Sequence, residues 1–240
     1  MADHFPTAHS PGLSTPGYAS CGPIGVFGGT FDPIHFAHLR LAEELADVFG
    51  FAEVRFVPAA LPPHRAAPGA SAEHRRAMVA LAIDGNPRFR LDARELKREG
   101  ASYTYDTLSE MRAELGERPL CLLMGADAFV AFMTWHRWAE IFDLAHLVVA
   151  RRPGYPLEQL AASLPGPLKS AYLKRHLPDP NTLPLEPAGR IFTHELTGLD
   201  VSATGLRALI ARRGSLRYLM PDAVIAYIES HGLYRERNAR

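Results

Sequence analysis

Ile24-Gly25-Val26-Phe27-Gly28-Gly29-Thr30-Phe31-Asp32-Pro33-Ile34-His35-Phe36-Ala37-His38-Leu39 is the stretch from which the fold is read. Ile24–Phe27 is a short apolar run of the kind a buried strand needs, and Leu39–Phe49 carries helical periodicity. Between them Gly28-Gly29 predicts a tight turn and Asp32-Pro33 a helix opening. A strand, a glycine turn and a helix N-terminus present backbone N–H groups and a positive helix end, which suits a phosphate. His35 and His38, three residues apart, fall on one side of the first helical turn. The residues alone also admit a plain tight turn or two metal-ligating histidines. No HExxH, CxxC or His/Cys cluster completes a metal site. No Gly-Lys-Ser/Thr forms a Walker A loop, and the GxGxxG fingerprint of a dehydrogenase is missing.

Outward from this stretch, apolar runs alternate with helical patterns. Strands are expected at Ile24–Phe27, Val54–Pro58, Phe89–Asp92, Leu120–Met124, His146–Ala150 and Arg190–Phe192. Helices are expected at Leu39–Phe49, Ala72–Asp84, Thr104–Leu115 and Ala128–Phe142, the last broken near Trp135. Such alternation predicts an α/β fold with a mainly parallel, doubly wound sheet, whose ligands bind beyond the carboxyl ends of the strands. Residues 153–188 read as an irregular connection with one helix, around Leu157–Leu164 or Pro167–Arg175. Ser202–Arg213 and Pro221–His231 read as two helices of a helical C-terminal end, about 200–235, with Gly232 as terminator.

With 240 residues, 47% hydrophobic and 22% charged, the chain suits one sizeable domain over 23–240. The formal net charge is zero, so nothing argues globally for nucleic acid or an anionic membrane, and any anion site is local. No apolar stretch approaches a membrane span. Residues 1–22, rich in Pro, Gly, Ser, Ala and His, read as a disordered leader and lack the pattern of a secretory signal. Cys21 and Cys121 suggest no disulfide framework, which fits a reducing cytoplasm.

Chemistry-bearing residues gather after the expected strands. Pro62-Pro63-His64-Arg65 is a stiff loop presenting two basic side chains, or simply an exposed basic loop. Gly125 permits close backbone approach after the central strand, and Asp127 can accept ribose hydroxyls. Trp135 offers a face for ring stacking, whereas Trp138, Phe129 and Phe132 read more readily as packing. In Ser102-Tyr103-Thr104-Tyr105 either Ser102 or Thr104 can cap the next helix. Ser202 is placed as a helix cap, and Arg207 lies further along with a forked guanidinium suited to phosphate. Arg151-Arg152 reads equally as a phosphate contact or a solvated basic turn.

The opening stretch resembles the HxGH signature of the nucleotidyltransferase superfamily of adenylyl- and cytidylyltransferases. From about Ile24 to Tyr234 the chain is similar to the bacterial nicotinate-nucleotide adenylyltransferases. Ala37 stands where the signature has Gly. Val201-Ser202-Ala203-Thr204-Gly205-Leu206-Arg207 looks like that family's ISxTxIR motif, and Gly125 to Trp135 like its GxDxxxxxxxW pattern.

The resemblance implies a Rossmann-like nucleotidyltransferase fold and transfer of AMP from ATP to nicotinate mononucleotide, giving deamido-NAD and pyrophosphate. It implies catalytic roles for His35, His38 and Arg207. ATP would meet these together with Gly28, Gly29, Thr30, Phe31, Gly125, Asp127, Ser202 and Thr204. The mononucleotide would meet His64, Arg65, Tyr103, Thr104, Asp127 and Trp135. Mg²⁺ would be carried with ATP, without a dedicated protein cage. The alternatives are a sister enzyme using nicotinamide mononucleotide, phosphopantetheine or glycerol phosphate, and a non-catalytic nucleotide sensor. The oligomeric state is not legible.

Overall fold

The computed structural model describes residues 22–61, 67–98, 100–151, 154, 156–179 and 186–235. The expected leader, apart from Gly22, lies outside them, as do Pro62-Pro63-His64-Arg65 and Arg152. The strands are β1 Ile24–Gly29, β2 Glu53–Pro58, β3 Phe89–Leu91, β4 Leu120–Gly125, β5 His146–Arg151 and β6 Ile191–Glu195. The helices are α1 Phe36–Phe49, α2 Ala72–Ile83, α3 Thr104–Leu115, α4 Ala126–Val130, α5 Leu157–Ser163, α6 Gly166–Arg175, α7 Ala203–Ala211 and α8 Asp222–Ser230. The strands form one sheet in the order β3-β2-β1-β4-β5-β6, and every pairing is parallel.

Both faces of the sheet are covered, so the strands alternate between two apolar layers. Cys121 and Leu123 of β4 enter one layer and Leu120, Leu122 and Met124 the other. In β5, Val148 and Ala150 face the first layer, Leu147 and Val149 the second. The first layer is closed by α1, α2, α7 and α8 through Leu45, Phe49, Met78, Leu206, Ile210 and Val224. The second is closed by α3 to α6 through Leu108, Met111, Phe129, Leu160 and Leu168. The strand order reverses between β1 and β4, where α1 departs to one face and α4 to the other. A crevice therefore opens beyond the carboxyl ends of these two strands.

Several expected boundaries change. The long connection holds two helices, α5 and α6, rather than one, because Leu160, Leu164, Leu168 and Tyr172 find an apolar face to cover. The helix expected over Ala128–Phe142 is only α4 followed by 3₁₀ turns at Phe132–Thr134 and Trp138–Asp143. Gly232 takes φ 60°, as a terminator should.

Candidate active site

Gly28 and Gly29 do not form the turn that the sequence suggests. They continue β1 and pair with Val57 and Pro58, since parallel pairing with β2 extends the strand. The chain turns instead over Thr30–Ile34, with Phe31 in the left-handed region at φ 49°. That conformation costs a non-glycine residue about 1–2 kcal/mol. Burial of the ring edge-on to Phe27 at 5.5 Å and beside Phe56 at 5.9 Å offsets it. The ring lies over Gly29, where a Cβ would come within 2.9 Å of it. Gly28 differs: it is exposed, and a Cβ there would meet no atom within 4 Å.

His35 is the N-cap of α1, with extended φ −153° and ψ 172°, so only His38 stands within the helix proper. The His35 backbone N–H donates to Nδ1 of His38 at 3.3 Å, which assigns the His38 proton to Nε2. The two rings stack with centroids 3.8 Å apart. Phe31 stands edge-on to His38 at 5.2 Å. His35 is buried, and burial lowers its pKa to about 4, so it is neutral near pH 7. Its Nδ1 is buried without a hydrogen-bond partner among the described residues.

Asp32 is not a helix opener. Its buried carboxylate accepts the amides of Gly69 at 2.7 Å and Ala70 at 3.1 Å, and the hydroxyl of Tyr234 at 2.8 Å. Arg207 of α7 donates to the Asp32 carbonyl at 2.7 Å and to Thr204 Oγ1 at 3.3 Å. Ser202 caps α7 by accepting the Gly205 amide at 3.2 Å, as its position predicts. The approach to α7 is pinned to α1, since Glu44 accepts the Thr197 amide at 2.9 Å and meets His194 and Arg40. Burial pushes the Glu44 pKa up, but these partners outweigh it and the net shift is down.

The second wall comes from β4 and α3. Gly125 ends β4 with open space at its Cα, and exposed Asp127 lies in the first turn of α4. The N-cap of α3 is Tyr103, without a side-chain cap. Neither Ser102 nor Thr104 takes that part: Ser102 Oγ accepts the Ala60 amide at 3.0 Å, reaching the end of β2. The Tyr103 ring lies 4.5 Å from that of His136, which brings the start of α3 beside Trp135. Trp135 is half-buried and packs edge-on to Phe132 at 5.4 Å. Phe129 and Phe132 are wholly buried core, and Trp138 packs on Phe132 and Phe142.

The fold thus sorts the candidates by side. Gly28 to His38 and Ser202 to Arg207 belong with α1 and α7 on one face of the sheet. Tyr103, Thr104 and Trp135 belong with α3 and α4 on the other. Gly125 and Asp127 stand where the faces meet. The sequence reading gave no role to Arg75, Tyr234 or the Asp32 carboxylate. Arg75 had a visible signal, since it shares the helical register of Met78, Val79 and Ile83 on an otherwise apolar face. Among the described residues no group of three His, Cys, Asp or Glu is placed to hold a metal ion, and no helix is long and apolar enough to cross a membrane.

Known proteins agree with this architecture. The cytidylyltransferase-like family matches residues 26–209. A probable nicotinate-nucleotide adenylyltransferase of Dechloromonas aromatica (strain RCB) is 50% identical over 214 residues, covering 89% of this chain and 98% of its own. Its counterpart in Acidithiobacillus ferrooxidans is 45% identical over 210 residues, 88% of this chain and 94% of its own. Among solved structures, Plasmodium falciparum nicotinic acid mononucleotide adenylyltransferase complexed with NaAD has TM-score 0.66 at 15% identity, over 89% of this chain and 97% of that one, a likeness of fold. On a match of this extent and identity, the chain belongs to the cytidylyltransferase-like family and, within it, to the nicotinate-nucleotide adenylyltransferases.

Proposed function

We infer that this enzyme transfers the AMP of ATP to nicotinate mononucleotide, giving deamido-NAD and pyrophosphate. The names of its relatives support the substrates, as does the NaAD complex of the Plasmodium protein. The observation that carries the reading is the stacking of buried His35 on half-buried His38 at the start of α1, with an unpartnered His35 Nδ1. A buried polar atom without a partner calls for one, and a triphosphate on a helix N-terminus supplies it.

A 5′-phosphate oxygen of the mononucleotide forms a bond to the α-phosphorus of ATP. The bond from that phosphorus to the bridging oxygen breaks, and its electron pair leaves with pyrophosphate. The attacking phosphate is already ionised, so the protein needs no nucleophile. Its work is positioning and stabilisation of the charge that moves onto the leaving group. His35, His38 and Arg207 take that part, the imidazoles as N–H donors and Arg207 as a fixed cation. The Gly28–Phe31 backbone, Ser202 and Thr204 surround the same phosphates. Gly125 and Asp127 receive a ribose; Tyr103, Thr104 and Trp135 receive the pyridine end, and His64 and Arg65 are assigned to the mononucleotide, as phosphate contacts, from sequence alone. Nitrogen donors suit phosphate oxygens rather than a hard cation, which fits Mg²⁺ entering with ATP and neutralising part of its phosphate charge. The buried free thiol of Cys121 is in keeping with a cytoplasmic setting.

The test is pyrophosphate release with ATP and Mg²⁺, comparing nicotinate with nicotinamide mononucleotide and weighing the dinucleotide product by mass. Preference for the acid is expected. Preference for the amide moves the protein to the sister activity, and ATP binding without release points to a sensor.

A further inference from the structure

Among the described residues Arg75 is the one buried arginine, 1% exposed, at the N-terminal end of the face that α2 turns to the core. Burying a guanidinium is costly unless its N–H groups are matched. Here each hydrogen bond goes to a backbone carbonyl. Nη1 donates to Thr30 O at 2.8 Å and Ala59 O at 2.6 Å, Nη2 to Ala60 O at 3.1 Å, and Nε to Ala70 O at 3.3 Å. Packing alone is met at neighbouring positions by Met78 and Val79. What an apolar side chain cannot do is hold carbonyls from separate loops on one rigid planar fork.

Those loops lead to opposite walls of the crevice. Thr30 immediately precedes Phe31, whose ring abuts His38. Ala60 donates its N–H to Ser102 Oγ at 3.0 Å, and Ser102 donates its own N–H to Leu61 O at 3.1 Å. Ser102 immediately precedes Tyr103 and Thr104. One guanidinium therefore joins the turn assigned to the triphosphate with the segment assigned to the mononucleotide.

We propose that Arg75 is a positioning residue that sets the spacing between the two substrate subsites, so that the acceptor phosphate meets the α-phosphorus in line. The proposal rests on the adenylyl-transfer reading. Arg75 acts through Thr30 and Ala60, being too buried to touch a substrate. In-line transfer is sensitive to such spacing, since a misplacement of about 1 Å can cost about a hundredfold in rate.

The experiment compares wild type with Arg75→Lys and Ser102→Ala, measuring kcat, both KM values and Tm. Arg75→Lys keeps the charge but loses the fork. It should lower kcat by about ten- to a hundredfold while each KM moves less than about threefold. Ser102→Ala weakens the link to α3 without touching Arg75, since it loses the hydroxyl that accepts the Ala60 amide and keeps only the backbone bond to Leu61, and it should lower kcat per folded molecule by about three- to tenfold. A purely structural role predicts wild-type kcat per folded molecule in both, and that result overturns the proposal. Should Arg75→Lys not fold, Ser102→Ala decides, and an unaltered kcat overturns it. Wild-type protein that releases no pyrophosphate overturns the adenylyl-transfer reading and the proposal together. Wild-type turnover with unaffected variants overturns the proposal alone.

Discussion

The hydroxyl of Tyr234 donates a 2.8 Å hydrogen bond to Oδ1 of Asp32, joining the end of the described chain to the turn after β1. The same carboxylate accepts two amides from the Gly69–Ala70 segment and lies 3.6 Å from an Arg207 nitrogen. Burial, then the hydrogen bond to Asp32 and its negative charge, raises the Tyr234 pKa, so the phenol stays a donor. Tyr234 thus steadies the carboxylate whose own backbone carbonyl holds Arg207.

Tyr234→Phe keeps the ring and removes the hydroxyl. A hydrogen bond to a charged acceptor contributes about 1.5–3 kcal/mol, so urea denaturation should show a loss in that range. Asp32→Asn should cost more, because it removes the charge facing both Arg207 and the two amides. Equal stability of Tyr234→Phe and wild type would rule out this role for the hydroxyl.

His35 makes stability depend on pH. Its folded pKa is lowered from 6.5 to about 4 by burial, so between these values the unfolded chain binds a proton that the folded chain refuses. The contribution is present above pH 6.5 and is lost as pH falls toward 4. By linkage it amounts to about 2 kcal/mol between pH 7 and pH 5. His35→Gln should flatten the curve of unfolding free energy against pH by that amount. Parallel curves for variant and wild type would count against the buried neutral imidazole.

Gly28 and Gly29 are adjacent yet should respond differently to alanine. At Gly29 the new methyl group would press on the Phe31 ring at 2.9 Å, so Gly29→Ala should lose about 1–3 kcal/mol of stability. At Gly28 nothing lies within 4 Å, so Gly28→Ala should fold normally and raise KM for ATP by occupying the ligand's space. Thermal melts with ATP titrations separate the two, and an unchanged KM for Gly28→Ala would move the phosphates elsewhere.

His38→Ala should lower kcat by about a hundredfold or more while mononucleotide affinity changes little, because its donor matters most as charge reaches the leaving group. Steady-state kinetics with a separate binding titration distinguish this from a general disruption, in which both would fall together.

Trp135→Ala should do the reverse, raising KM for the mononucleotide by about three- to tenfold with a modest change in kcat, as loss of one aromatic stacking contact predicts. Retention of the wild-type KM would return Trp135 to the packing cluster of Phe132.

Local patterns were legible in the residues themselves. The apolar runs of β4 and β5 announce strands buried on both faces, the periodicity of α1 to α3 announces helices, and Ser202 announces its cap. Each depends on residues within a turn or a strand's length. The opening stretch likewise identified the core of β1 and the histidine pair. Only the tertiary structure decided that Gly28 and Gly29 extend the strand, that Ser102 serves β2 rather than α3, and that Asp32 binds Gly69, Ala70 and Tyr234. Arg75 announced itself only as a charge on an apolar face. Its carbonyl partners sit on loops that become neighbours once β1 and β2 pair. The physical reason is one of range: periodicity and capping are set by neighbours along the chain, whereas the partner of a buried polar group is set by which strands lie side by side.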